Sequence, residues 1–164
     1  VPLQLLVLRH GHAQQEPPPG GDDFDRPLRT RGRRALTALA PTVQAHAPEL
    51  VLSSPSRRTR ETVECLNLAA AVDYREPLYA GDVDDLLDAV RELAAREAPP
   101  ETVLLVGHNP SVHQLVLELT GGEQLPGFPP AALAVLTLDA ADWFAADTGA
   151  AELTALHLPG DRHD

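Results

Sequence analysis

The sequence predicts an α/β protein, a mainly parallel sheet with helices on its faces in a three-layer α/β/α arrangement. Three observations carry that expectation. Short apolar runs of strand length alternate with segments whose apolar residues recur at helical spacing. Such alternation builds parallel strands joined by crossover helices. The chain has 164 residues, 43% of them hydrophobic and 23% charged, which suits a packed domain rather than a disordered chain. A (β/α)8 barrel would need about 250 residues. A single domain over residues 1–164 is therefore expected.

The elements follow in order. Residues 3–8 form an apolar run that reads as a buried strand ending at Arg9-His10-Gly11. That run is far shorter than the ~20 residues of a membrane span and has no basic stretch before it, so neither an anchor nor a signal peptide is expected. Residues 14–27, with Pro17, Pro18, Pro19, Gly20 and Gly21, read as a loop. Leu36, Leu39, Ala40 and Val43 mark a first helix, and residues 50–53 a second strand. Thr59, Thr62, Val63 and Leu66 share one face of a second helix, and residues 72–74 suit a short strand. Val83, Leu86, Leu87, Val90 and Leu93 give a third helix, stopped near Pro99-Pro100. Residues 102–106 are the clearest buried strand. Val112, Leu115, Val116 and Leu119 stripe a fourth helix closed by Gly121-Gly122. Residues 134–138 and 153–158 complete the strands, with Trp143 and Phe144 expected to anchor a late turn.

Charge and cysteine usage narrow the function. All 13 basic residues are arginine. Residues 1–60 hold nine of them against five acids, and the rest of the chain holds four against 19, so the net −11 conceals a cationic first part. A balance this acidic argues against nonspecific nucleic-acid binding. Arginine forks in the first part suit a local phosphate or carboxylate site. Cys65 is the only cysteine, so no internal disulfide can form, and a cytoplasmic location fits. It falls on the apolar side of the second helix and reads as a core thiol.

In open α/β sheets ligands bind beyond the carboxyl ends of the strands. Here the first strand ends in Arg9-His10-Gly11, the second in Ser53-Ser54-Pro55 with Arg57 and Arg58 beyond, and the fourth in Gly107-His108-Asn109-Pro110. Two guanidinium groups beside imidazoles suit a dianionic phosphoryl group. A neutral imidazole is a competent nucleophile, and neighbouring cations keep it neutral. Charge spreading over the equatorial oxygens in the transition state would meet the arginines and the second histidine. The scheme calls for no metal or other cofactor.

The stretch Leu8-Arg9-His10-Gly11 resembles the first motif of the histidine phosphatase superfamily, whose fold is phosphoglycerate-mutase-like. Residues 54–62 resemble its second motif, with an Arg four residues after a Ser and four before a Thr, which selects Arg58 over Arg57 and Arg60. Gly107-His108-Asn109 is similar to the third motif, and residues 26–32 with the short length resemble its SixA-like, phosphohistidine phosphatase branch. The resemblance implies His10 as the phosphorylated nucleophile. It implies Arg9, Arg58 and His108 as catalytic residues of the phosphate pocket, with Gly11 and Asn109 also on the substrate. Many members carry an acid after the third strand that protonates the leaving oxygen. Glu76 is the candidate here, with Asp82 and Asp84 as rivals, although Tyr74-Arg75-Glu76-Pro77-Leu78 lacks the usual pattern.

The expected substrate is phosphohistidine on a protein, with a small phosphomonoester as the alternative and a non-catalytic phosphate-binding module as a third reading. Neither nucleic acid nor membrane is an expected partner. The H-x-H pair His10 and His12 could with His108 be read as a metal site, but no carboxylate ligand stands at a recognisable spacing and the arginines would repel a cation. His12 is expected on the pocket rim and His113 on the outer surface. The turn at residues 77–82 looks too short to fold over a ligand, so an open, shallow site is expected, with Arg26 or Arg29 on its rim to meet an acidic partner.

Overall fold

In the computed structural model, which describes residues 2–122 and 125–160, the strands are β1 (Leu3–Arg9), β2 (Leu50–Ser53), β3 (Ala71–Tyr74), β4 (Thr102–Gly107), β5 (Leu133–Leu138) and β6 (Ala151–His157). They form one sheet in the order β3-β2-β4-β1-β5-β6. The four strands from β3 to β1 are parallel; β5 runs antiparallel to both β1 and β6. The helices are α1 (Thr30–Ala45), α2 (Arg57–Leu66), the single turn α3 (Pro77–Ala80), α4 (Val83–Arg91) and α5 (Ser111–Thr120).

The strand period of two sorts the apolar side chains into two cores. Leu6 and Leu8 of β1 and Leu104 and Val106 of β4 pack with Leu36 and Val43 of α1 and with Val63 and Leu66 of α2. Leu5, Val7, Val103 and Leu105 point the other way and pack with α4 and α5. Central strands buried on both faces read as continuous apolar runs, which is why the sequence shows no alternation there. Each fully buried leucine contributes about 1.5–3 kcal/mol. The result is the expected three-layer α/β/α fold.

Local chemistry sets the helix ends. Asp82 caps α4, accepting from the Asp84 and Asp85 amides while the Asp85 carboxylate accepts from the Asp82 amide. Gly121, at φ +75°, ends α5 in the left-handed conformation that favours glycine. Helix α1 continues through Pro41, although proline has no amide to give, because its buried face of Leu36, Ala40 and Val43 holds it on the sheet.

Two expectations need correction. Trp143 is fully buried and donates to the Pro100 carbonyl at 2.7 Å, but Phe144 is 64% exposed and anchors nothing. The stretch at residues 77–80 is helical rather than a plain turn, and a further turn of 3-10 helix (Asp23–Asp25) lies inside the proline-rich loop. Both bear on the site below. Cys65 is only half-buried, and burial pushes its thiol pKa up.

Candidate active site

Register brings the three strand ends together. Arg9 pairs with Gly107, and the His10 amide donates to the Gly107 carbonyl at 3.1 Å. Across β4, the Ser54 amide donates to the Val106 carbonyl at 3.1 Å. His10, Ser54 and His108 therefore emerge side by side, with the two imidazole centroids 5.2 Å apart.

The hydrogen bonds fix both tautomers. His10 Nδ1 lies 2.7 Å from the Gly11 carbonyl, which can only accept, so Nδ1 carries the proton and Nε2 keeps its lone pair. Arg58 Nη2 donates to His108 Nδ1 at 3.2 Å, so the His108 proton sits on Nε2 and is donated to Ser54 Oγ at 2.8 Å. Both rings are neutral at pH 7. His10 is pushed down to about 3, chiefly by burial, against the Gly11 hydrogen bond, with His108, Arg58 and Arg9 adding to the depression. His108 also falls to about 3, by burial first and then by Arg58 and Arg9, against Asp23. Cations were the expected cause; burial outweighs them.

The spacing of Ser54, Arg58 and Thr62 now has a physical reading. Steps of four residues along the start of α2 keep one face toward the pocket. Ser54 meets His108, and Arg58 meets His108 and Asp23. Thr62 accepts from the Gly11 amide at 3.1 Å while donating to the Arg58 carbonyl at 2.7 Å, tying α2 to the turn after His10. Arg57 leaves that face to pair with Glu61, and Arg60 to donate to the Pro55 carbonyl. Gly11 lies close to α1, where a Cβ would stand 2.7 Å from Leu36 Cδ1 and 3.3 Å from the Gly32 carbonyl oxygen.

Arg9 Nη1 and Asn109 Nδ2 share the Phe128 carbonyl at 3.2 and 2.8 Å. Arg9 Nε, Arg58 Nε and Asn109 Oδ1 are buried and have no protein partner among the described residues. Two guanidinium N–H donors left over in one pocket suit a tetrahedral oxyanion, which removes the cost of burying them unpaired.

Sequence reasoning missed Asp23 and Tyr79. The loop after His12 is clamped at its base, where the Gln14 amide donates to the Pro27 carbonyl and the Arg29 amide to the His12 carbonyl, both at 2.8 Å. Its tip is the Asp23–Asp25 turn, capped by Asp22. Arg58 donates to the Asp23 carbonyl at 2.9 Å and to its carboxylate at 3.2 Å. Tyr79 of α3 donates to the same carboxylate at 2.8 Å and packs edge-on against His108 and Phe24. Burial alone would raise the Asp23 pKa, but the Tyr79 hydrogen bond and the Arg58 charge hold it below the usual carboxylate range. The Asp22 and Asp25 spacing, not used in reading residues 14–27 as a loop, is a turn signal that does not say where the turn lands. This loop and α3 flank the site, whose His10, Arg58 and His108 are all buried.

The remaining candidates lie outside it. Glu76 is exposed at the start of α3, and among the described residues no hydrogen bond or ion pair joins its side chain to the pocket. Asp82 is used as a helix cap, with Asp84 exposed beside it. His12 is exposed on the rim, its ring within 3.2 Å of Arg31 Nη2. His113 is half-buried and stacks on Phe128 at 5.9 Å, rather than standing on the outer surface. Among the described residues no group of three or more His, Cys, Asp or Glu side chains is placed to hold a metal ion.

Residues 5–78 match the family model for the histidine phosphatase superfamily (branch 1). Phosphohistidine phosphatase SixA of Escherichia coli (strain K12) is 34% identical over 144 residues, covering 84% of this chain and 86% of that protein. A solved structure from Nakamurella, described as a candidate SixA phosphohistidine phosphatase, superposes with a TM-score of 0.86 at 32% identity, covering 97% of each chain. A solved structure of the protein histidine phosphatase SixA with tungstate gives a TM-score of 0.77 at 28% identity, over 94% of this chain and 96% of that one.

Proposed function

The chain belongs to the histidine phosphatase superfamily, and from that premise we propose that it removes phosphate from phosphohistidine on a protein, through a phosphoryl group carried on His10. Arg9 and Arg58 hold the phosphoryl oxygens; His108 joins them by exchanging its Ser54 hydrogen bond for one to the phosphoryl group, whereas the Gly11 amide and carbonyl are already committed to Thr62 and His10 and the Asn109 amide to Phe128, so neither expected substrate contact is free to form. The observation that carries this reading is the tautomer of His10 next to a pocket that offers no protonated acid. Nδ1–H is held by Gly11, Nε2 is free to attack, and Asp23, the carboxylate in contact with the pocket, is kept ionised.

The steps balance without a proton relay. Nε2 of His10 attacks phosphorus as the P–N bond to the substrate ring breaks. A substrate ring protonated on its other nitrogen departs as neutral imidazole. His10 keeps its Nδ1 proton, so the phosphorylated ring is cationic, and the Gly11 carbonyl stabilises that charge. Water then attacks phosphorus, its protons stay with the phosphate, and His10 leaves in its starting tautomer. An alkoxide leaving group would instead need an acid, because it departs with far higher basicity. The structurally similar protein histidine phosphatase SixA was solved in complex with tungstate, a tetrahedral oxyanion, and that is consistent with oxyanion binding by this fold.

The test is kcat/KM across a phosphohistidine-bearing protein domain, sugar phosphates and nucleotides. The phosphohistidine protein should be turned over best by orders of magnitude. A small phosphomonoester that exceeds it by that margin would overturn the reading in favour of a metabolite phosphatase.

A further inference from the structure

Beside the pocket a groove of about 420 Å³ runs between α1 and the end of β6. Ala35, Ala38, Leu39 and Thr42 line it from α1, at the i, i+3, i+4, i+7 spacing of a helix stripe. Leu158 lines it from the other side and is 43% exposed. Arg31 and Arg34 complete the lining, which among the described residues contains no acidic side chain. Helix α1 has no acid anywhere along Thr30–Ala45, in a chain of net charge −11. Its Arg33, which does not line the groove, is paired with Glu61 at 2.9 Å. Among the described residues Arg34 has no hydrogen bond or ion pair, and Arg31 touches only His12.

One lining residue adjoins the turn that carries His10. It is Ala131, whose amide donates to the carbonyls of Arg9 and His10 at 3.1 and 3.0 Å. The groove thus borders, through Ala131, the backbone that holds His10 in place.

We propose that this groove docks an acidic amphipathic helix of the phosphohistidine-bearing protein, a proposal that rests on the function given above. The occupant follows from three features. A stripe of small side chains on a helix accepts another helix by ridge-into-groove packing. The exposed Leu158, with the half-buried Leu39 opposite, asks for an apolar face. Arg31 and Arg34, without carboxylate partners, ask for Asp or Glu on the flank of that face. Docking there presents the partner's phosphohistidine to His10 and gives protein substrates an advantage that small phosphoramidates lack.

The experiment uses the full chain and two probes. One is a helical domain with a single phosphohistidine and Asp or Glu on the adjoining turns of the same helix; the other is its twin with those acids changed to Asn and Gln. Free phosphohistidine serves as the small substrate. The wild type should favour the acidic domain over its twin, and less so as salt is raised. Arg34→Glu should lower kcat/KM on the acidic domain by about tenfold, mostly through KM, and leave free phosphohistidine unchanged. Ala38→Glu, a change at an exposed helix position, should act in the same direction. Equal turnover of both domains with no effect of either variant would overturn the groove assignment while leaving the proposed function standing. Failure on all three phosphohistidine substrates would overturn the function itself, and the groove assignment with it. A concentration-dependent dimer abolished by Arg34→Glu would assign the groove to a second copy of this chain and overturn the proposal.

Discussion

At the residue scale the pocket separates three neighbouring arginines by what each one touches. Arg58 is buried against His108 and Asp23, whereas Arg57 and Arg60 are engaged outside it. Arg58→Ala should cost about 2–4 kcal/mol of transition-state stabilisation, the range for a lost oxyanion donor. Arg57→Ala breaks a half-exposed ion pair and should cost at most about 1 kcal/mol. Steady-state kcat/KM on a phosphohistidine domain measures both, and equal losses would contradict the assignment. That Arg9, His10 and His108 gather was legible because strand ends are legible, and a parallel sheet must bring its strand ends to one edge; Arg58, on α2, was singled out by its spacing from Ser54 and Thr62. Asp23 and Tyr79 were not. They meet across 56 positions only because a clamped loop and one helical turn fold toward each other, and neither carries a periodic signal.

At the element scale α1 is the wall on which the nucleophile's turn is built. Gly32 lets it approach so closely that an added Cβ would collide with the backbone of His12. In an open helix Gly→Ala stabilises by up to about 1 kcal/mol. Here Gly32→Ala should instead destabilise by about 1–3 kcal/mol, as overpacking does, in urea unfolding monitored by circular dichroism. A stabilised variant would show that α1 is free to move away from His12. The same element shows where periodicity succeeds and where it stops. The recurrence of Leu36, Ala40 and Val43 identified the helix through Pro41, but nothing in that pattern showed that its opposite face borders a groove. The isolated aromatic pair at Trp143 and Phe144 has no period at all. One ring went into the core and the other into water, a choice set by the tertiary contact at Pro100.

At the scale of the whole molecule, burying two neutral imidazoles makes stability depend on pH. Unfolded, His10 and His108 titrate near the ordinary 6.5; folded, near about 3. Between those values the unfolded chain binds more protons, so stability is complete above about 6.5 and is lost as the pH falls toward about 3. Asp23 and Glu61, held below the usual carboxylate range, lose their contribution in the same direction at lower pH. Urea midpoints should therefore drop between pH 7.5 and pH 5. A His10→Asn, His108→Asn double variant should flatten that slope, and an unchanged slope would place the acid sensitivity elsewhere. The fold itself was the most legible level. Four parallel strands follow from alternation alone, whereas the antiparallel β5 depends on how the chain returns after α5 and leaves no mark in a six-residue apolar run.

Under the proposed function, the contact between Asp23 and Arg58 bears on how fast the protein lets go of what it makes. Inorganic phosphate leaves from the guanidinium that Asp23 also claims, so the enzyme carries its own competitor for the product's place. Two unit charges about 4 Å apart repel by about 1–4 kcal/mol between water and a protein surface, and the half-exposed Asp23 carboxylate belongs near the lower limit. Asp23→Asn keeps the shape and removes the charge. It should tighten inhibition by inorganic phosphate about fivefold, the equivalent of about 1 kcal/mol, and shift the slow step toward product departure. Unchanged phosphate inhibition would mean that Asp23 only shapes the loop; the expected tightening would make the loop the means by which turnover ends.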